Sequence, residues 1–212
     1  MIVRGRGGRF QVFSESTRQL TQPVGLRSAR LNLLFLVGYR GSGKTTVGRA
    51  LAARLAWAFL DADAVLEDRA GRSIRDIFAA DGEATFRDLE AVVLADLAKR
   101  TDTVIATGGG VVLREANRQL LAASGFVAWL TADAATLWAR IQGDPTTAER
   151  RPALAGGGLD EVERLLAVRE PLYRAIADVE VPVGAVSPDR AADAILAAWK
   201  RSWKSSGSAS SS

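Results

Sequence analysis

Between Gly38 and Thr45 the chain reads Gly-Tyr-Arg-Gly-Ser-Gly-Lys-Thr, directly after the apolar run Leu33-Leu34-Phe35-Leu36-Val37. No other stretch restricts the fold so strongly. Two glycines with four residues between them, then Lys and Thr, set between a buried strand and a helical pattern, form a phosphate-wrapping loop. The glycines let the backbone N–H groups around Gly41, Ser42 and Gly43 turn inward as an anion-binding nest. Lys44 adds a charge for the outer phosphates, and the Thr45 hydroxyl is a ligand for Mg²⁺. The helix that starts here points its positive end at the same spot. A glycine-rich turn with a chance lysine would not bring both flanks with it. The pattern predicts a chain that binds a nucleoside triphosphate where its first strand meets its first helix.

The 212 residues are 48% apolar and 25% charged, the balance of one globular α/β domain. A chain of this length buries about 70% of its unfolded surface without staples. It has no Cys and no His. Disulfides, thiolate metal sites and Cys nucleophiles are therefore excluded, and proton transfer is left to carboxylates, Lys, Tyr or water. The apolar run around residues 31–37 is too short to span a bilayer, and it leads straight into the loop rather than to a cleavage site.

The basic balance invites a nucleic-acid reading, which the distribution of charge opposes. Residues 1–30 hold six Arg and one acid, Glu15, a net of +5. Residues 199–212 hold Lys200, Arg201 and Lys204 without an acid, a net of +3. The total of +4 therefore leaves −4 on residues 31–198. The segment 1–30, with Arg-Gly repeats and no strand or helix period, is expected to be a disordered extension. Three readings of it stay open: a neutral tail, an organelle-targeting segment, or an Arg-Gly contact to RNA. Residues 200–212 read as a Ser-rich disordered tail.

Between these ends strands alternate with helices, which predicts parallel strands joined by helical crossovers. Strands are expected at Leu33–Val37, Ala58–Leu60, Val104–Ala106, Phe126–Leu130 and Val179–Val183. Helices are expected near 44–57, 64–70, 73–80, 83–100, 114–123, 133–142, 160–177 and from Ser187-Pro188-Asp189 onward. Gly71 and Gly82 read as stops, and residues 143–158 break the pattern with glycines and prolines. In such a sheet ligands bind beyond the carboxyl ends of the strands. The phosphate loop, the pair Asp61 and Asp63, and the triplet Gly108-Gly109-Gly110 each follow a different strand, so all three converge on one crevice.

Over about residues 32–199 the chain resembles the shikimate kinases. The resemblance rests on Gly38–Thr46, Asp61-x-Asp63, Gly71-Arg72-Ser73-Ile74, Gly82-Glu83 with Phe86-Arg87, Gly108–Gly110, Arg151-Pro152 and Arg169-Glu170-Pro171-Leu172-Tyr173. It implies a three-layer α/β sandwich around a five-stranded parallel sheet, spanning residues 31–199. It also implies transfer of the ATP γ-phosphoryl group to the 3-hydroxyl of shikimate, with Mg²⁺. The expected protein is a monomer in the cytoplasm, or in an organelle should residues 1–30 be a targeting segment.

Residue by residue, the resemblance gives Asp63 the acceptor hydroxyls, to orient or deprotonate the attacking one; its plain alternative is a helix N-cap. Asp61 joins Thr45 in holding Mg²⁺. Arg87 and Arg169 clamp the shikimate carboxylate, where planar guanidiniums match a carboxylate better than Lys does. Gly108, Gly109 and Gly110 admit the substrate to backbone N–H groups. Gly41, Ser42, Gly43, Lys44, Thr45 and Thr46 hold the nucleotide, with Arg140 near its base. Residues 143–158 correspond to a mobile lid that carries Arg151 to the γ-phosphate, although the neighbouring Arg150 competes for that role. Two departures fall here: Ala153 replaces the usual Leu after Pro152, and the lid is a few residues longer.

Other functions remain to be separated from this one. A gluconate kinase of the same fold would keep the phosphate loop without needing Asp63, Arg87, the triplet and Arg169 together. A GTP switch would need a guanine-reading Asn-Lys element, and neither Asn32 nor Asn117 precedes Lys. An RNA-binding protein would depend on residues 1–30. An inactive kinase relative is the last alternative, and it would be expected to have lost one of these positions.

Overall fold

The computed structural model describes residues 32–144 and 158–207, with side chains as far as Trp203. The expectations for residues 1–30 and for most of the 143–158 lid, Arg150 and Arg151 included, lie outside the described residues.

Five strands form one sheet: β1 (Leu33–Val37), β2 (Ala58–Asp61), β3 (Thr103–Ala106), β4 (Phe126–Thr131) and β5 (Val179–Pro182). Their order is β2-β3-β1-β4-β5 and every pairing is parallel. β1 lies in the middle with all five residues buried, which explains its unbroken apolar sequence. Leu33, Phe35 and Val37 face one apolar cluster, and Leu34 and Leu36 face another.

The first cluster is closed by α2 (Ala62–Ala70), α3 (Ile74–Leu97), α4 (Glu115–Ser124) and α6 (Gly158–Ile176), through Leu66, Phe86, Leu121 and Tyr173 among others. The second is closed by α1 (Lys44–Leu55) and α7 (Pro188–Gly207), through Val47, Leu51, Ala192 and Ile195. The result is the expected three-layer α/β sandwich. A smaller cluster seats Tyr39 of the phosphate loop among Leu137 and Ile141 of α5 (Ala134–Gln142) and Val162 of α6.

Two boundaries differ from the sequence reading. The pieces expected at 73–80 and 83–100 form one helical run, broken at Gly82, where φ 80° and ψ 176° leave the helical region. The last helix does not stop at residue 199 but continues to Gly207, so the tail expected from residue 200 begins as helix. Trp199 and Trp203, one turn apart, contact each other with centroids 5.9 Å apart, and Trp199 meets Trp57 edge to face at 5.3 Å. Contact between the rings, with Trp203 itself still half exposed, outweighs the weak helix preference of the serines there.

Gly125, between α4 and β4, shows how tightly the centre is packed. A Cβ there would lie 2.6 Å from the Leu33 carbonyl oxygen and 2.9 Å from the Phe35 ring. Its φ of −157° is ordinary extended backbone, so the obstacle is purely steric. Gly125→Ala is expected to destabilise the fold by about 1–3 kcal/mol, read from a lowered denaturant midpoint at unchanged slope. A variant as stable as the parent would remove this contact from the account.

Candidate active site

Beyond the carboxyl ends of β1, β2 and β3 a crevice of about 300 Å³ opens. Arg40, Gly41, Gly43, Lys44, Thr45 and Thr46 of the phosphate loop line it together with Asp61, Asp63, Thr107 and Gly109. Three separate strand ends thus deliver the groups that the sequence pattern placed together. Arg140 and Asp144 complete the rim.

The loop is shaped by its glycines and tied by its lysine. Gly38 has φ 143°, and a Cβ on it would fall 2.6 Å from the Leu130 carbonyl oxygen, so the loop can cross β4 only without a side chain there. Gly43, in the left-handed region at φ 82°, caps α1. Lys44 Nζ reaches back across the loop and donates to the carbonyls of Gly38 and Tyr39, each at 2.9 Å. Ser42 is buried within the loop, and its backbone N–H donates to the Tyr39 carbonyl at 3.3 Å.

The Asp pair divides its labour differently from one plain expectation. Asp61, not Asp63, is the N-cap of α2: its Oδ1 accepts from the N–H groups of Asp63 at 3.1 Å and Ala64 at 3.4 Å. Its Oδ2 accepts from the Thr45 hydroxyl at 3.0 Å. The helix is therefore capped without Asp63, whose carboxylate belongs to the crevice wall. Thr45 and Asp61 are hard oxygen donors side by side, a set that suits Mg²⁺, which usually takes one or two protein oxygens and keeps water and phosphate for the rest. Among the described residues no group of three or more acids gathers as a self-sufficient metal cage.

Arg87 and Arg169 are buried, at 8% and 7% exposure, and neither is among the residues that line the crevice. Arg87 is fixed from its own helix: Nη1 donates to Glu90 at 2.8 Å, while Nε and Nη2 donate to Glu83 at 3.2 and 3.0 Å. Burial pulls its pKa down and the two carboxylates overcompensate, leaving it above the ordinary arginine value. The Arg87 guanidinium occupies the space where a Gly110 side chain would stand, 2.4 Å from an added Cβ. Gly110 thus makes room for an arginine as well as for any ligand. The Arg169 guanidinium lies over the Tyr39 ring at 5.3 Å, and its Nε meets no hydrogen-bond acceptor among the described residues. A buried cation with an unmet donor calls for an anion. Burial pushes the Tyr39 phenol upward, with Arg169 and Arg40 pulling it partly back.

Arg140 joins the crevice to a second hollow lined by Gly41, Thr46, Val47, Val183 and Pro188. Its Nη2 donates to the Val183 carbonyl at 2.7 Å, and Nη1 lies 3.4 Å from the Gly41 carbonyl oxygen. Arg151, expected on the lid, falls outside the described residues.

The sequence reading passed over Glu83, Glu90 and Tyr173 as individual groups. Glu83 and Glu90 stand four residues before and three after Arg87, the spacing at which helical side chains meet, and that spacing was a usable signal. Tyr173 gave none, because its hydroxyl partner, the Gly109 carbonyl, is 64 residues away.

Comparison with known proteins agrees over nearly the whole described body. The family model for shikimate kinase matches residues 40–200. A shikimate kinase of Rhodopirellula baltica is 48% identical over 149 residues, 70% of this chain and 80% of its own length. One from Parasynechococcus marenigrum is 46% identical over 184 residues, 86% of this chain and 91% of its own. Among solved structures, the Acinetobacter baumannii shikimate kinase in complex with shikimate superposes with a TM-score of 0.74 at 36% identity, covering 79% of this chain and 92% of that one. A Sinorhizobium meliloti gluconokinase, at 19% identity and a TM-score of 0.56, shares the fold alone. With the crevice, the loop and these relatives in agreement, this chain belongs to the shikimate kinase family.

Proposed function

We propose that the crevice transfers the γ-phosphoryl group of ATP to the 3-hydroxyl of shikimate, yielding shikimate 3-phosphate and ADP. The observation that supports this reading is a pair of buried guanidiniums, Arg87 packed against Gly110 and Arg169 lying over the Tyr39 ring of the phosphate loop. Such a site suits an acceptor with a carboxylate at one end and hydroxyls at the other, which matches the shikimate named with the Acinetobacter structure. A polyol without a carboxylate would leave two buried cations unexplained, whereas gluconate carries a carboxylate and is separated from shikimate by the assay below.

In this reading the carboxylate spans Arg87 and Arg169, and the ring lies along Gly108–Gly110 toward Asp63. The acceptor oxygen attacks the γ-phosphorus, the bond to the β–γ bridging oxygen breaks, and the acceptor proton passes to Asp63. The loop N–H groups of Gly41 to Thr46 hold the β-phosphate, and Lys44 leaves its carbonyl partners to follow the γ-phosphate. Thr45 and Asp61 hold Mg²⁺, which neutralises phosphate charge. Arg140 lies against the base, and Arg151 arrives with the lid to balance charge and exclude water. Little covalent work falls to the protein, since phosphoryl transfer runs on positioning and electrostatics. The same reading makes the protein a cytoplasmic monomer that acts on a small molecule, with an organelle the alternative location. Among the described residues no helix is long and apolar enough to cross a membrane.

The test is ADP release from ATP and Mg²⁺ with shikimate, quinate or gluconate as acceptor. Release is expected with shikimate and only at background with gluconate. Turnover with gluconate but not shikimate would leave the fold standing and remove the acceptor assignment.

A further inference from the structure

The phenol of Tyr173 is fully buried, and its hydroxyl donates to the Gly109 carbonyl in the middle of the glycine turn. None of the roles above uses it. We propose that Tyr173 is a positioning residue that holds the two clamp arginines in register with the glycine turn and thereby sets affinity for the acceptor carboxylate. This rests on the reading of Arg87 and Arg169 as that clamp.

The two guanidiniums come from helices far apart in the chain; Tyr173 shares α6 with Arg169 and donates to Gly109, the neighbour of the Gly110 against which Arg87 packs. Arg169 lies one turn earlier on α6, and its charge acts directly on the Tyr173 hydroxyl. On the other side, Gly109 is bonded to Gly110, the residue against which the Arg87 guanidinium packs. Glu90, the buried partner of Arg87, is also among the charged groups that act on the Tyr173 hydroxyl. A continuous route therefore runs from Arg169 through Tyr173, Gly109 and Gly110 to Arg87.

The route matters because the two jaws are held unequally. Arg87 is braced by two carboxylates of its own helix, whereas the Arg169 Nε meets no acceptor among the described residues. Among the described residues Arg169 has no carboxylate brace of that kind and takes its position from two rings, Tyr39 beneath its guanidinium and Tyr173 one turn further along α6. The glycine turn carries no side chains to interlock with it. Tyr173 is rigid: its ring stacks on Trp129 with centroids 5.8 Å apart and planes 27° apart, so the hydroxyl has one direction. Burial also drives the phenol well above its ordinary pKa, which keeps it an O–H donor.

Tyr173→Phe keeps the ring and its stack and deletes only the hydroxyl, leaving the Gly109 carbonyl unsatisfied. The assay compares shikimate with its carboxamide, in which the charge recognised by the clamp is absent, in the intact chain. The KM and direct dissociation constant for shikimate are expected to rise roughly tenfold, the usual effect of orphaning one buried partner. kcat should stay within about twofold and KM for ATP should not move, because the lost interaction serves acceptor binding alone. Affinity for the carboxamide should be the same in both proteins. A hydroxyl that served only the fold would lower the unfolding midpoint and leave the shikimate-to-carboxamide ratio unchanged, which overturns the proposal. If the parent protein itself does not distinguish shikimate from the carboxamide, the clamp reading falls and this inference falls with it.

Should Tyr173→Phe not fold, 3-fluorotyrosine labelling gives the same decision. The chain has two tyrosines, so a Tyr39→Phe background leaves a single ¹⁹F reporter at Tyr173. Its resonance is expected to shift with shikimate and to stay in place with the carboxamide. Equal shifts with both would refute the coupling.

Discussion

Asp63→Asn is expected to lower kcat by about 10²–10⁴-fold, the range for removing a general base, while KM for ATP stays near the parent value. The structure makes this substitution unusually clean. A carboxylate in the first turn of a helix often serves as its N-cap, and losing a cap costs about 1 kcal/mol. Here the cap is Asp61, which accepts from the N–H groups of Asp63 and Ala64. Asn at position 63 still presents that N–H, keeps nearly the same volume, and removes only the charge and the proton acceptor. The thermal midpoint should therefore hold while turnover collapses. A kcat within about threefold of the parent would remove Asp63 from the chemistry and leave it a hydroxyl ligand at most. Asp61→Asn offers the contrast, since it weakens both the helix cap and the Thr45 contact and so should reduce stability together with activity.

Much of this arrangement was legible in the sequence because it depends on local pattern. The unbroken apolar run of β1 announced a strand buried on both faces, and β1, β2 and β3 were each followed by residues that line the crevice. The order β2-β3-β1-β4-β5 was not legible, because parallel pairing is decided by which crossovers pack together and leaves no mark within a strand. The choice between Asp61 and Asp63 as cap was equally hidden. Both stand at a strand–helix junction two residues apart, and a shift of two residues in where the helix begins exchanges their roles. The length of α7 was misread for a related reason. Serines and a glycine suggested a tail, while Trp199 and Trp203 were packing in a way that only the fold reveals. Arg87 and Arg169 look like solvated helix arginines from their neighbours in sequence. Their burial follows from Glu83 and Glu90 around one and from the ring of Tyr39 beneath the other. Those contacts turn two ordinary cations into a candidate clamp.

Gly110→Ala should produce the opposite of the Gly125→Ala result. Position 110 has φ −99° and ψ 1°, which an alanine adopts without backbone strain. Replacing Gly there also restricts the unfolded chain, which by itself favours folding by about 0.4–1 kcal/mol. What the new methyl meets is the Arg87 guanidinium, at 2.4 Å from two of its nitrogens and 2.6 Å from Cζ. That group is the far end of a flexible side chain, whereas the obstacle at Gly125 is the Leu33 carbonyl and a core ring. Arg87 can therefore yield by about 1 Å and keep one carboxylate partner, so the fold should survive with a near-parental midpoint. If Arg87 holds the acceptor as proposed, that contact cannot yield in the same way, because a displacement of about 1 Å at a positioning group costs on the order of a hundredfold in catalytic efficiency. The loss is expected in kcat/KM for shikimate, with ATP binding unaffected, and Arg87→Ala should add little to it because both changes disable the same contact. Full shikimate affinity in Gly110→Ala would mean that Arg87 does not touch the acceptor. A stability loss as large as that of Gly125→Ala would mean that the Arg87–Glu90 pair is anchored too firmly to move.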